Sequence, residues 1–309
     1  MNEFELIARL TRSLPANPAV VIGPGDDCAV LDLGLADDYV LFKTDAVTEG
    51  IHFAADAPPE KIGHKALGRC LSDIAAMAGT AVAALVTIAL PRKFDPEFVA
   101  AIYTGMNSLA QKYGVAIVGG ETTTNPDRML ISIAVLGRVA RGKAALRTGA
   151  KAGDAIFVTG ELGGSLAGKH LDFEPRLAEA AWLAGHFALH AMIDLSDGLA
   201  GDLRHVLKAS GVGAELLKSA IPVSRAAKLR AKTGQSKPPF VAALTDGEDF
   251  ELLFTVAAGD AVKISDRWKI QFPAVRLSCI GKITTETGLR VRDRNGVQPL
   301  TADGYVHFA

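Results

Sequence analysis

Cysteine is scarce in this chain and poorly spaced for chemistry: Cys28, Cys70 and Cys279 lie far apart and form no metal-binding pattern. That argues against a disulfide framework and suits a reducing cytosol, so a cytoplasmic protein is expected. An excess of one charge is missing too. With 33 Lys and Arg against 34 Asp and Glu, the formal net charge of -1 offers no electrostatic reason to expect nucleic acid or an anionic membrane as partner. Met1 to Leu10 carries acids rather than a basic region followed by an apolar one, so it does not read as a secretory signal. The most apolar stretch, 74–90, is broken by Gly79-Thr80 and stopped by Pro91. It therefore reads as a helix followed by a buried strand, not as a membrane span. Nucleophile elbow, HExxH and CxxC motifs are all absent.

What the chain does have is hydrophobic material, 49% of its 309 residues, enough for two ordinary domains with cores. Strands are expected at 39–45, 82–90, 115–119 and 129–138, and helices at 61–79 and 95–113. This alternation predicts a mixed α/β fold. The basic, glycine-bounded stretch 142–153 reads as a boundary between domains 1–141 and 142–309. In the second half, strands are expected at 155–159, 250–256 and 276–283, and Met192-Ile193 leads into the acidic turn 194–198. Helices are expected from about Ser165 and after Gly198, the latter capped by Ser196 or Asp197 and ended by Gly211.

The acids fall in short glycine-flanked clusters: Asp26-Asp27, Asp45, Asp73, Glu121, Asp194 with Asp197, and Glu248-Asp249. Carboxylates in such turns are good oxygen ligands for a hard cation such as Mg²⁺, which keeps waters and bridges to phosphate. Each cluster has a plainer alternative. Gly23 to Asp27 makes an ordinary surface turn, but adjacent carboxylates repel and a cation relieves them. Thr44-Asp45 ends a strand, where α/β folds place ligand groups. Asp73, within the apolar helix Leu71 to Met77, could be a salt bridge. With no cation among its immediate neighbours, a metal role is the stronger reading. Gly119-Gly120-Glu121-Thr122-Thr123 follows a strand and offers amides, hydroxyls and a carboxylate to phosphate and its metal. Asp194 and Asp197 lie three apart at a helix start, and one acid would suffice as a cap. His52 is as readily a structural imidazole as a ligand contact. Gly163 to Lys169 reads G-x-x-x-x-G-K, yet His170 stands where a P-loop needs Ser or Thr, so it reads as a glycine turn entering a helix.

Taken in order, GPGDDCAVLD, TDAVTEGIHF, ALGRCLSDIAAMAG, GGETTTNP, ALRTGAKAGDAIFVTGELGGSLAG, IDLSDGLAGDL, GEDFELLFTV and the terminal GYVHF resemble the thiamine-monophosphate kinase family. Its superfamily also holds aminoimidazole ribonucleotide synthetase, selenophosphate synthetase and a hydrogenase-maturation protein. The resemblance implies an N-terminal α/β domain whose sheet pairs with that of a second subunit in a homodimer, and a C-terminal α/β domain beside it. It implies transfer of the ATP γ-phosphoryl group to thiamine monophosphate. By motif, Asp27, Thr44, Asp45, Asp73, Asp194 and Asp197 would hold Mg²⁺, with Glu121 where the family has an Asp. Tyr103, Gly120, Glu121, Arg147 and Ser196 would meet ATP; His52, Glu248 and Tyr305 would meet thiamine monophosphate. Three positions depart from the family pattern: Glu121 itself, Lys43 in place of a small hydroxyl residue, and Thr301-Ala302-Asp303, which lacks an aromatic. The same fold with another acceptor, as in aminoimidazole ribonucleotide synthetase, is the enzyme alternative; a nucleotide-binding dimer without turnover is the other.

Overall fold

A computed structural model describes residues 3–233, 237–302 and 304–305. The first half contains α1 (Glu3–Thr11), β1 (Val20–Ile22), β2 (Ala29–Leu31), β3 (Asp38–Thr48), α2 (Pro59–Ala76), β4 (Thr80–Leu90), α3 (Pro96–Tyr113), β5 (Ala116–Thr124) and β6 (Leu130–Ala140). Its six strands form one sheet in the order β1-β2-β3-β6-β4-β5, antiparallel apart from the parallel β4 and β5 pair. The second half contains β7 (Ala155–Thr159), α4 (Leu177–His186), β8 (Leu189–Asp194), α5 (Leu199–Ser210), β9 (Gly213–Leu217), α6 (Arg225–Ala231), α7 (Pro239–Thr245), β10 (Leu252–Val256), α8 (Ala261–Gln271), β11 (Leu277–Thr284), β12 (Gly288–Asp293) and β13 (Gly296–Pro299). These strands make a seven-stranded mixed sheet, β13-β12-β9-β11-β7-β10-β8. Among the described residues, no strand of one sheet pairs with the other. The fold is α/β with two mixed sheets, as the alternation of elements predicted.

Helix α2 is the wall between the two halves. Its Ile62, Leu67, Leu71 and Ile74 pack with Leu41, Ile133 and Val135 of the first sheet, while Ala75 and Ala76 join Phe157, Met192 and Phe254 of the second. Against α3 the helix backbones nearly touch. A Cβ on Gly63 would fall inside the Ile102 carbonyl, and one on Gly105 inside that of Glu60. Helix α3 itself begins at the cap Asp95, whose side chain accepts from Glu97 N, and ends at the left-handed Gly114; both ends follow ordinary capping chemistry.

Period-two alternation sorts β3 by face. Leu41, Lys43, Asp45 and Val47 turn toward α2, while Phe42 and Thr44 turn to the face that no helix covers. On that open face Phe42, Leu85, Val118 and Leu136 are each more than 40% exposed. Two second-half expectations differ from what is found. Instead of a helix from Ser165 there are two 3-10 turns, Ser165–Ala167 and Lys169–Leu171, split by Gly168 at φ 137°; α4 begins only at Leu177. Helix α5 is preceded by Gly198 rather than capped by Ser196 or Asp197. The two amides just before the helix are served from its first turn, where Asp202 Oδ2 accepts from Asp197 N at 3.1 Å and Gly198 N at 3.0 Å.

Gly63→Ala should cost about 2 kcal/mol or more, because the α2 and α3 backbones must part to admit a methyl group. Urea unfolding would show the midpoint fall; an unchanged midpoint would mean that the helices separate freely.

Candidate active site

Three carboxylates meet where α2, β8 and the turn at 23–27 come together. Oxygens of Asp27, Asp73 and Asp194, all buried, lie within 4.8 Å of one another. Asp27 leaves the turn after Gly25, whose φ of 129° favours glycine. Asp73 lies within α2, and Asp194 ends β8. Ser72 Oγ donates to Asp194 Oδ2 at 2.6 Å, tying the two halves at the cluster. Burial raises the Asp27 carboxyl against the pull of Arg147, and raises Asp73 well above its ordinary range against that of Lys43. Burial and the Asp27 charge lift Asp194 to about 6, although the Ser72 bond opposes them. The cluster is short of positive charge, and Asp27 Oδ2 is buried with no hydrogen-bond partner among the described residues. Such a donor set fits a hard divalent cation such as Mg²⁺.

The protein supplies part of the missing charge. Lys43 Nζ, on β3 thirty residues earlier, sits 3.0 Å from Asp73 Oδ1, so the plainer alternative, a salt bridge, is met by a cation from outside the neighbouring sequence. The Arg147 guanidinium pairs with Asp27, while its backbone N–H donates to Asp26. Burial works against the Lys43 charge, but Asp73 and Asp45 outweigh it and raise the pKa.

From Asp73 a polar stripe runs back along α2 at helical spacing, through Arg69 to Lys65, about 12 Å at 1.5 Å per residue. Arg69 lies between Asp45 at 3.3 Å and Glu248 at 3.5 Å. Lys65 donates to the His52 carbonyl at 2.5 Å and to Glu248 at 2.8 Å. His52 is held in turn, its Nδ1 accepting from Thr48 N at 3.1 Å. Glu248 and Phe250 adopt φ of 53° and 48°, a left-handed conformation that non-glycine residues enter at a cost. Neighbouring backbone enforces it: Glu248 N and Phe250 N donate to the carbonyls of Ser196 and Leu195 at 2.7 and 2.8 Å. The GEDFE and DLSDG turns are thus locked together. Sequence reasoning missed Lys65, Arg69 and Asp202. The four-residue spacing of Lys65, Arg69 and Asp73 was the signal that could have found the first two.

The G-x-x-x-x-G-K turn has another task. Gly163 N donates to both oxygens of Asp249, and Gly164 N to Asp246 Oδ2 at 3.0 Å. Lys169 Nζ binds the buried Glu251 at 2.7 Å. Protein carboxylates thus occupy amides that a P-loop would turn to phosphate. Other expected residues lie apart from the buried trio. Thr44 faces the open side, with its hydroxyl 3.4 Å from that of Ser132. Glu121, exposed on the edge strand β5, shares that face: strand register aligns Ala46, Ser132, Thr87 and Glu121 across the sheet. Three strand spacings, about 14 Å, separate Glu121 from β3. Gly120, at φ 157°, has no room for a Cβ beside the Val86 carbonyl. Tyr103 is half-buried on α3. Ser196 and Asp197 are half-buried at the locked turns, and Tyr305 N donates to Asp197 O at 2.8 Å.

A family model described as AIR synthase related protein, N-terminal domain, matches residues 25–139. Thiamine-monophosphate kinase of Rhodopirellula baltica is 42% identical over 307 residues, covering 96% of this chain and 93% of that protein. The chain belongs to the thiamine-monophosphate kinase family. The Bacillus subtilis thiamine-monophosphate kinase is 32% identical over 340 residues, with both chains covered in full. A solved structure, AaThiL complexed with AMPPCP and TMP, matches with a TM-score of 0.82 at 28% identity, covering 99% of this chain and 97% of that one. Likeness to this kinase family therefore extends through both sheets and every acidic turn.

Millimolar Mg²⁺ should raise the thermal midpoint, since an ion that binds only the folded chain stabilises it by mass action, about 2.7 kcal/mol at a hundred times Kd. Asp194→Asn should lose most of that rise, as read by differential scanning calorimetry. An equal rise in both proteins would remove Asp194 from the metal site.

Proposed function

We propose that this chain transfers the γ-phosphoryl group of ATP to the phosphate of thiamine monophosphate, giving thiamine diphosphate and ADP. One observation carries the reading. In a chain 42% identical to a thiamine-monophosphate kinase, Asp27, Asp73 and Asp194 converge, and the polar stripe of α2 joins them to His52 and Glu248.

The reaction needs no side-chain nucleophile. An oxygen of the acceptor phosphate bonds to the γ-phosphorus while the bond to the bridging oxygen breaks and ADP leaves with that electron pair. Asp27, Asp73 and Asp194 would hold Mg²⁺, with Asp45 and Asp197 as further candidate ligands, whereas Thr44 and Glu121, on the open face, could serve only an ion outside the buried trio. A divalent ion held there would supply positive charge to offset that of the reacting phosphates. Arg147, Gly120, Ser196 and Tyr103 serve ATP; for Arg147 this means exchanging Asp27 for a phosphate. His52, Glu248 and Tyr305 serve the acceptor. The 1–141 segment carries the metal and nucleotide sites, and 142–309 completes the acceptor site. A cytoplasmic setting accords with the free thiols and with the absence, among the described residues, of a helix able to cross a membrane.

The active form is a homodimer closed through the open face of the first sheet. Phe42, Val82, Leu85, Val118 and Leu136 are exposed there, and an apolar patch of this kind marks an interface. Sedimentation should give twice the 32.4 kDa chain mass, with Leu136→Lys shifting it toward the monomer. A monomeric wild type would refute the dimer.

ADP release tests the activity directly. Turnover should require ATP, Mg²⁺ and thiamine monophosphate together, and Asp73→Asn should reduce it at least a hundredfold with the fold retained. Release with another acceptor only would indicate a sibling enzyme, and ATP binding without release a nucleotide-binding protein.

A further inference from the structure

Lys65 is a fully buried lysine that no motif explains, with no exposed side-chain surface. Burying an ammonium is costly unless acceptors surround it, and this one is surrounded. It lies 2.5 Å from the His52 carbonyl, 2.8 Å from Glu248 Oε2 and 2.7 Å from Glu248 Oε1. The two partners belong to different halves of the chain, one in the loop after β3 and the other in the turn before β10. Both are assigned to the acceptor by the functional reading, on which this inference rests.

We infer that Lys65 is the positioning residue of the acceptor pocket, joining His52 to Glu248 so that the two halves present one preformed surface to thiamine monophosphate. Several contacts show that the joint is built. The Glu248 backbone is held at its left-handed φ by Ser196, and its carbonyl accepts from Ser165 Oγ at 2.5 Å. Gly247 approaches the Ser196 carbonyl too closely for a Cβ. The Glu248 side chain therefore leaves a fixed backbone, and Lys65 at 2.7 Å, nearer than Arg69 at 3.5 Å, is the cation that anchors its carboxylate. Burial lowers the Lys65 pKa to about 8, with Glu248 opposing the fall; the charge is held by this contact, not by water. On α2 Lys65 lies two turns before Asp73, so it organises the pocket at a distance from the metal cluster.

Lys65→Met keeps the chain length and removes the charge. With ATP and thiamine monophosphate varied separately, its KM for thiamine monophosphate should rise at least tenfold, while its KM for ATP stays within twofold of wild type. Adding Glu248→Gln should then cost much less than it does alone, because the pair acts as a unit. Lys65→Arg, which restores a cation, should recover part of the acceptor KM, and it takes the place of Lys65→Met if that variant does not fold. An unchanged acceptor KM, or KM values for both substrates rising together, would overturn the role of Lys65. A wild type that shows no turnover dependent on thiamine monophosphate defeats the functional reading instead.

Discussion

A polar stripe inside a buried helix is the constraint from which the candidate site follows. Helix α2 is covered by one sheet on each side, yet it carries Lys65, Arg69, Ser72 and Asp73 on neighbouring turns. None can be left unpaired so far from water without a penalty of several kcal/mol. Each is met by a group from elsewhere: Glu248 and the His52 carbonyl for Lys65, Asp45 for Arg69, Asp194 for Ser72, Lys43 for Asp73. The elements that supply these groups are the walls of the site. Packing the helix and assembling the site are one event.

The cluster is not left as bare negative charge. Arg147 and Lys43 hold Asp27 and Asp73, at separations where charges interact strongly in a poorly hydrated interior. This internal neutralisation is incomplete, since burial still raises all three carboxyls and, among the described residues, Asp27 Oδ2 has no hydrogen-bond partner. The remaining deficit is what a divalent ion would fill. On the acceptor side, backbone hydrogen bonds between the DLSDG and GEDFE turns impose the strained φ of Glu248 and Phe250. Strain of that kind persists only where the surroundings over-determine it.

Much of this was legible in the sequence where a local rule decides the outcome. Strand β7 and helices α2 and α3 follow from periodicity, Asp95 and Gly114, and Asp73 stood out as an acid in an apolar helix. The cation on Asp73 was not legible, because Lys43 is distant along the chain and alternates with Thr44 on a strand whose two faces look alike by composition. Lys65 and Arg69 were overlooked because such residues on helices are ordinarily solvated; only the second sheet, packed over α2, removes that water. The helix expected at Ser165 failed because Gly163 and Gly164 give their amides to Asp249 and Asp246, contacts made across more than eighty residues. Strands β12 and β13 were missed as well; both are short, and short strands carry little pattern.

The shared helix also bears on how the molecule comes apart. The apolar sides of α2 belong to both cores, with Leu71 and Ile74 facing one sheet and Ala75 and Ala76 the other. Cutting the chain at the linker would strip one flank of this helix and take Ala75 and Ala76 from the second core, which keeps Ala180 and Leu183 of α4 and Ile264 and Trp268 of α8. Melting either half removes contacts on which its neighbour stands. Two architectural layers, each with a core of its own, are thus coupled through one helix that both of them bury.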